Sequence, residues 1–425
     1  MMNNFAIKKV KARWVLDSRS TPTVEAEVHS GKGSGRAMVP SGASTGTHEA
    51  LEMRDGTKEF HGKGVRNAVD NVNKKIAEHL EGIDSRNQEQ VDRKMIELDG
   101  TDNKSKLGAN AILAVSMANA RCASSGLRKE LFEYLAGMNK DDAKVLPVPM
   151  MNIINGGMHA GNGLAMQEFM ILPSGMKNFS EALKAGAEIY HSLKGYLKEK
   201  HGKGAINVGD EGGFAPPISD TRQALGAIMK AIEISGYSSN EIKLGLDAAA
   251  SSFFKEGLYH IDGKKISPED MASFYGKLCE EYPIASIEDP MHEEDFDGFR
   301  KVTEAIGRKI QILGDDVFVT NVKRLSRGIE MKAANALLLK LNQVGTITEA
   351  LDAFRMARKA GWNVAISHRS GETEDSFIAD LAVGWNAGQI KTGAPARGER
   401  TAKYNQLLRI EEMLGKKALF GDTKL

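Results

Sequence analysis

Short apolar runs, each closed by an ionisable residue and followed by a helical stretch, recur through the second half of the chain. INVGDE reaches Glu211, LGLD Asp247, ASIED Glu288, QILGDD Asp315, ALLLK Lys340, VAISHR His368 and QIK Lys391. Successive ends lie roughly 25–40 residues apart, about one strand–helix unit each. In a closed barrel of parallel strands, every strand delivers its C-terminal end to one face, where active sites form. Four acidic ends precede three basic ones, so the pattern predicts carboxylates along one arc of a pocket and cations along another. A flat doubly wound sheet shows the same alternation but places its ligand at one switch point; seven ionisable ends favour the barrel. Val148–Ile154 and Gln167–Leu172, separated by little but the glycine-rich stretch 155–163, read as an antiparallel hairpin at the start of that barrel.

The first half is organised differently. Residues 6–16 and Thr23–Val28 have strand patterns, the latter with Val24, Ala26 and Val28 alternating with Thr23, Glu25 and Glu27. A strand over Gly35–Val39 leads into the glycine- and serine-rich loop Pro40–Gly46. Helical patterns follow over Gly64–Leu80 and Asn87–Leu98, and the alanine-rich Ala109–Ser124 reads as a buried helix. Strands followed by helices without regular alternation predict an α+β domain. A polar stretch near residues 137–146 marks the boundary, giving an α/β chain with an N-terminal domain over 1–140 and a barrel over 141–425.

Composition narrows the function. The 425 residues are 41% hydrophobic and 27% charged, enough for a large core. Lys+Arg 57 against Asp+Glu 56 gives no support for nucleic acid as the main partner. Two cysteines, Cys122 and Cys279, both in helical patterns, read as reduced core residues. The opening MMNNFAIKKV lacks the apolar core of a signal peptide, and no run approaches the roughly 18 residues of a membrane span. The expectation is a soluble, cytoplasmic protein without a membrane partner.

Three carboxylates at one barrel mouth, Asp247, Glu288 and Asp315, would repel one another, and a hard divalent cation with oxygen ligands resolves the conflict. Any one of them alone would read as a helix cap; the basic arc opposite favours metal for the set. Lys340 and Lys391 end strands where a lysine is costly unless paired or functional. His368, Arg369 and Ser370 lie between them in sequence, and an arginine, a serine and backbone amides make a cradle for phosphate or carboxylate. For Arg369 alone an interdomain salt bridge is the plainer reading. Glu168 and Glu211 form a candidate acid pair, because close carboxylates raise one another's pKa and the protonated member can donate. The loops 41–46 and 156–161 read as lids.

These residues sit in segments that resemble the enolase family over nearly the whole chain: VPSGASTGTHEA, GGMHAGN, QEFMILP, NVGDEGGFAP, GLDAAASSFF, SIEDP, GDD, LLLKLNQVGT, SHRSGETED and QIKTGAP. The resemblance implies a magnesium-dependent lyase that interconverts 2-phosphoglycerate and phosphoenolpyruvate, on a barrel with an irregular ββαα start. It implies metal ligands at Asp247, Glu288 and Asp315, and a second magnesium reached by Ser44 and the substrate phosphate. Lys340 matches the base at C2; Glu211, assisted by Glu168, matches the acid at C3. His159, Gln167, His368, Arg369, Ser370 and Lys391 match substrate-contacting positions. On this basis Lys340 is expected to have a depressed pKa, and Glu211 to be protonated. The family forms dimers and rings of dimers, so a homodimer or octamer is implied, with an additional cell-surface pool in some members.

One departure concerns Asp17–Thr23, where Ser20 stands at a family glycine. If that position needs positive φ, the strain costs about 1 kcal/mol. The segment is expected to lie away from the catalytic motifs. Phe296 and Gly398 also depart, at positions usually tryptophan and serine. Two other readings remain at this point: another proton-abstracting member of the superfamily, and a surface or scaffold binder. The intact set of Glu211, the SHRS cradle and Ser44 disfavours the first, and the ending Lys424–Leu425, without a terminal lysine, weakens the second.

Overall fold

The computed structural model describes residues 4–42 and 46–421. Its N-terminal part is a three-stranded antiparallel meander, Ile7–Leu16, Pro22–Ser30 and Ser34–Met38, with the helix Ala109–Leu127 packed across it. That helix is buried on nearly every side, as its run of alanines predicts, and Ile112, Leu113 and Val115 are wholly enclosed. Burying each such side chain contributes about 1.5–3 kcal/mol. Small residues let the sheet approach: a Cβ on Gly35 would stand 2.2 Å from the Ala118 carbonyl oxygen, so Gly35→Ala would force the two layers apart.

The middle strand corrects the alternation read from sequence. Thr23 and Glu25 are buried along with Val24 and Ala26. The Thr23 hydroxyl donates to the Val39 carbonyl at 2.6 Å, and Glu25 pairs with Arg13 and Arg36. Polar residues face inward there because each has a partner.

The second part is a closed eight-stranded barrel. In ring order its strands are Val148–Asn155, Glu168–Leu172, Lys243–Asp247, Ile284–Glu288, Gln311–Gly314, Ala336–Leu339, Asn363–Ser367 and Gly388–Lys391. All neighbours run parallel except around Glu168–Leu172, which is antiparallel to both of its neighbours. The helices Phe179–His201 and Thr221–Ile234 come after this hairpin and before the third strand, so the ββαα start is present. Inside the ring, Val148, Met150, Met170, Leu172, Leu313, Ala336, Leu338 and Ala365 form a separate apolar layer. Beneath it Gln311 and Gln389 exchange amide hydrogen bonds at 2.9 and 2.8 Å. The interior is therefore filled, and chemistry is confined to the mouth.

The two parts interlock beside that mouth. Arg121 grips Asp375 with two bonds of 2.7 Å, buried Lys104 meets Glu349 at 2.8 Å, and Thr348 donates twice to Asp92. Among the described residues, no helix is long and apolar enough to cross a membrane. Cys122 is buried and Cys279 half-buried, and both are free thiols.

Candidate active site

Strand direction explains the acidic arc. Asp247 and Glu288 are the last residues of parallel neighbours and pair in register. Glu168 is the first residue of the antiparallel strand, so its N-terminal end lies at the same face, opposite Asp247. Three carboxylates thus stand side by side on adjacent strands, an arrangement that repels. Lys391, at the end of its own strand, sets its ammonium among them, 3.0 Å from Asp247, 2.8 Å from Glu288 and 3.3 Å from Glu168. Burial alone would strip its proton, but Asp247, Glu168 and Glu288 hold the Lys391 pKa well above the ordinary lysine value. Gln167 adds a bond from Nε2 to Asp247 at 3.2 Å.

Asp315 follows its strand directly and accepts from the Lys340 ammonium through Oδ2 and from Gln343 Nε2 at 2.8 Å through Oδ1. Asp289 shapes the turn, accepting from the backbone N–H groups of Asp315 and Asp316 at 2.9 and 2.7 Å. Lys340 does not have the depressed pKa expected from sequence. Burial, the largest single influence, lowers it, but Asp315 with Glu288 raises it back, and it ends above the usual lysine value. Directly paired at a buried site, the carboxylate outweighs the more distant positive charges of Arg369 and Lys391.

Glu211 corrects the reading of INVGDE as a barrel strand. It lies in the turn Gly209–Gly213, where the Gly209 N–H donates to the Gly213 carbonyl at 2.8 Å and Val208 bridges to Phe214. The glycines fold the segment back on itself, and it reaches the mouth from the side. There Glu211 accepts from Asn152 at 3.1 Å, with His159 Nδ1 at 3.6 Å and His368 Nε2 at 3.5 Å. His159 also lies 3.9 Å from Glu168. Burial and the Glu211 charge push Glu168 well above the carboxylate range. Against its own burial, Glu211 is held well below that range by His368, His159 and Arg400. The proton of this pair therefore rests on Glu168, the reverse of the sequence expectation, because both histidines and Arg400 face Glu211.

Arg369 and Ser370 form the remaining wall. Arg369 is held by Glu49 of the N-terminal part, at 2.8 and 3.1 Å, and by Asn342 at 3.0 Å. The plainer reading of an interdomain salt bridge thus describes this structure. Ser370 Oγ accepts from Arg19 at 3.4 Å, and Arg19 also reaches Gly42 O at 2.9 Å. The turn carrying Arg19 is consequently not remote from the catalytic motifs. Ser18 N–H donates to Glu372 O, and Ser41 pairs with Gly371. Ser20 has φ +55, so the condition for strain at that position is met. Phe296 packs in the core beneath Arg327, and Gly398 opens the last long helix. Ser44 lies outside the described residues. The second loop is pinned at its root by Gly156 N–H to Gln167 O and Gly157 N–H to Leu164 O.

His159, Gln167, Glu168, Glu211, Asp247, Asp315, Lys340, His368, Arg369, Ser370 and Lys391 line one cavity of about 30 Å³, with Asp289 and Asp316. Glu288 joins through Lys391. The space holds a water or two, and ion pairs join its walls, Lys340 with Asp315 and Lys391 with Asp247. Carboxyls outnumber cations along this lining, and Asp316 is pushed up to about 7 by burial and Asp315. Two buried carboxylate oxygens, Glu288 Oε1 and Glu168 Oε2, have no hydrogen-bond partner. An excess of negative charge, oxygen donors and orphaned carboxylate atoms together fit a hard divalent cation. The compact acidic groups, however, are Asp289–Asp315–Asp316 and His159–Glu168–Glu211; Asp247 and Glu288 gather around Lys391.

Sequence reasoning missed Glu49, Asn152, Asp289, Asp316, Gln343 and Arg400. Asp289 and Asp316 adjoin strand-end acids and could have been flagged by adjacency. Arg400 lies in the first turn of Gly398–Leu414, and nothing in its local pattern separates it from a surface helix residue.

Comparison with known proteins gives two matching family models, the N-terminal domain of enolase over residues 7–135 and the C-terminal TIM barrel domain of enolase over 143–425. Among curated relatives, the enolase of Methanocaldococcus jannaschii is 59% identical, the match covering 98% of this chain and 97% of the relative. The enolase of Pyrococcus furiosus is 58% identical over 100% and 99% of the two chains.

Proposed function

The chain belongs to the enolase family, and from that premise we propose how its residues divide the reaction. The activity is the reversible dehydration of 2-phosphoglycerate to phosphoenolpyruvate and water. The observation that supports the division of roles is that Lys340 and the Glu168–Glu211 pair line the same cavity. Lys340 Nζ takes the C2 proton. The acid pair, holding one proton between its members, delivers it through Glu211 to the C3 hydroxyl; the C3–O bond breaks, water leaves and the C2–C3 double bond forms. In the reverse direction the same groups exchange these roles. Arg369, Ser370, His368, His159, Gln167 and Lys391 bind the substrate's phosphate and carboxylate, as their donors and charges suit them to do. Arg369 must exchange Glu49 for the substrate anion.

Asp247, Glu288 and Asp315 would hold magnesium, and Ser44 with the substrate phosphate a second ion. When bound, these ions supply positive charge against that developing on the substrate carboxylate as the C2 proton leaves. Lys340 acts as a base only after Asp315 has released its ammonium, since that contact keeps the proton in place.

We assign the protein to the cytoplasm, with two free thiols in support, and place its domain boundary at 140/141. A homodimer or octamer is supported by Trp14 and Leu16, 52% and 51% exposed on one strand, and by Phe60 stacked edge-on against Trp14. Sedimentation decides between the two.

The test is phosphoenolpyruvate formation from 2-phosphoglycerate, followed by absorbance with and without magnesium. Lys340→Ala abolishes C2 proton exchange with solvent while metal still binds. Retained exchange would place the base elsewhere.

A further inference from the structure

Four hydrogen bonds leave Lys340 and return to it. Its backbone N–H donates to Thr320 Oγ1 at 3.0 Å, and Thr320 Oγ1 donates to Gln343 Oε1 at 2.7 Å. Gln343 Nε2 donates to Asp315 Oδ1 at 2.8 Å, and Asp315 Oδ2 accepts from the Lys340 ammonium. Donor counting fixes the direction of the ring. A threonine hydroxyl has one hydrogen; having accepted from Lys340, it donates to Gln343. The Gln343 amide is thereby turned with its NH₂ end toward Asp315. Thr320 and Gln343 are both 1% exposed, so no solvent competes for these bonds.

The backbone supplies a second, independent observation. Val319 and Thr320 are consecutive β-branched residues at φ +44 and +55, a left-handed pair that such side chains avoid. Residues held in sparsely populated regions persist where the surroundings over-determine them, and they cluster at functional sites. Here the strained turn brings the Thr320 hydroxyl to the Lys340 N–H just past the end of strand Ala336–Leu339. The Gln343 carbonyl accepts from Ala50 N–H at 2.9 Å, which ties the ring to the N-terminal part.

We propose that Thr320 and Gln343 are positioning residues for proton abstraction: Thr320 acts through the Lys340 backbone, and Gln343 through Asp315, which holds the lysine ammonium until it is released to act as the base. Thr320 sets where the lysine leaves the strand end. Gln343 occupies Asp315 Oδ1, so that only Oδ2 meets the ammonium. The inference rests on Lys340 being the base.

Thr320→Val keeps the branched shape and removes the hydroxyl, while Thr320→Ser restores it without the methyl. A misplaced reacting group of this kind lowers kcat roughly 10–100-fold, and KM for 2-phosphoglycerate stays within about threefold because binding contacts are untouched. Thr320→Ser recovers most of the rate. With substrate deuterated at C2, the isotope effect on kcat rises in Thr320→Val, since C2–H cleavage has become slower relative to other steps. A variant that is merely less folded loses kcat with its isotope effect unchanged. Gln343→Leu carries the same expectation for kcat and its isotope effect, read at saturating magnesium because Gln343 also holds Asp315, and stands in if Thr320→Val does not fold. An unchanged isotope effect in the folded variants, or Thr320→Ser as slow as Thr320→Val, overturns the inference. Full C2 exchange in Lys340→Ala would overturn the underlying assignment of the base; a dead Lys340→Ala beside a fully active Thr320→Val removes only the positioning role.

Discussion

Arg400 donates through Nη1 to His368 Nδ1 at 2.6 Å. An arginine cannot accept, so the imidazole carries its proton on Nε2, facing Glu211 at 3.5 Å. The same guanidinium holds the carbonyls of Arg369, Ser370 and Asp210 at 2.7, 2.6 and 3.0 Å. One buried side chain therefore orients the histidine, the 368–370 cradle and the turn that presents Glu211. Burial, reinforced by Arg400, pushes His368 down to about 3, and it works as a neutral ring.

Replacing Arg400 by leucine leaves His368 and three carbonyls without their donor in a dry site, at a cost of about 3 kcal/mol or more. Arg400→Lys keeps the charge but loses the fork. Both variants lower the calorimetric Tm, and in Arg400→Lys the His368 pKa, followed by NMR, rises from its low value as the orienting contact weakens. A His368 titration unmoved in Arg400→Lys would show that Arg400 does not govern the ring.

Glu49 occupies the guanidinium that the substrate anion is proposed to use. Its pair with Arg369 is almost wholly buried, the two side chains being 5% and 4% exposed. Breaking such a pair costs about 3–5 kcal/mol, because the remaining charge stays buried. Glu49→Gln is thus expected to unfold at lower denaturant while binding inorganic phosphate more tightly, its Arg369 charge no longer neutralised. Weaker phosphate binding in this variant would mean that Arg369 is not the anion receptor.

Strand-end residues were legible in sequence because an apolar run closed by a charge has a physical consequence: parallel strands must end at one face. Asp247, Glu288, Lys340 and Lys391 follow that rule and stand at or just beyond their strand ends. Glu211 does not, since a run interrupted by glycine turns before it can pair. Glu168 needed the hairpin to be recognised, because its face depends on strand direction. Arg400, Gln343 and Glu49 were illegible, for their positions depend on how helices and the N-terminal part pack against the mouth. The partition of protons was equally hidden: which member of the Glu168–Glu211 pair is ionised depends on the placing of two histidines and Arg400.

Ser20 stands at φ +55, where a side chain costs about 1 kcal/mol. Glycine relieves that strain but adds roughly 0.4–1 kcal/mol of entropy to the unfolded chain, so Ser20→Gly should stabilise by at most about 0.6 kcal/mol. Urea unfolding at constant m-value reads it directly. Since the Ser20 N–H still donates to Asp17 O, the turn and its contact with Glu372 are retained. A loss of stability would show that the serine side chain contributes more than its strain removes.

Asp92 is fully enclosed, accepting from Gln88 at 3.0 Å and from the Thr348 N–H and hydroxyl at 3.0 and 2.7 Å. Burial raises its pKa from 3.8 to about 6, even against these hydrogen bonds. A raised carboxylate pKa means that between those values the folded chain keeps a proton the unfolded chain has lost. The folded state is then favoured by protonation below 3.8, and this advantage is lost as pH rises through about 6. About two pKa units correspond to about 3 kcal/mol. Asp92→Asn cannot titrate, so the stability of the parent minus that of the variant should fall by about this amount between about pH 4 and pH 6, and level off above. Taking the difference cancels every other titrating group. Denaturant midpoints across that range give the curve, and a difference independent of pH would show that Asp92 is ionised throughout, with Gln88 and Thr348 fully offsetting its burial.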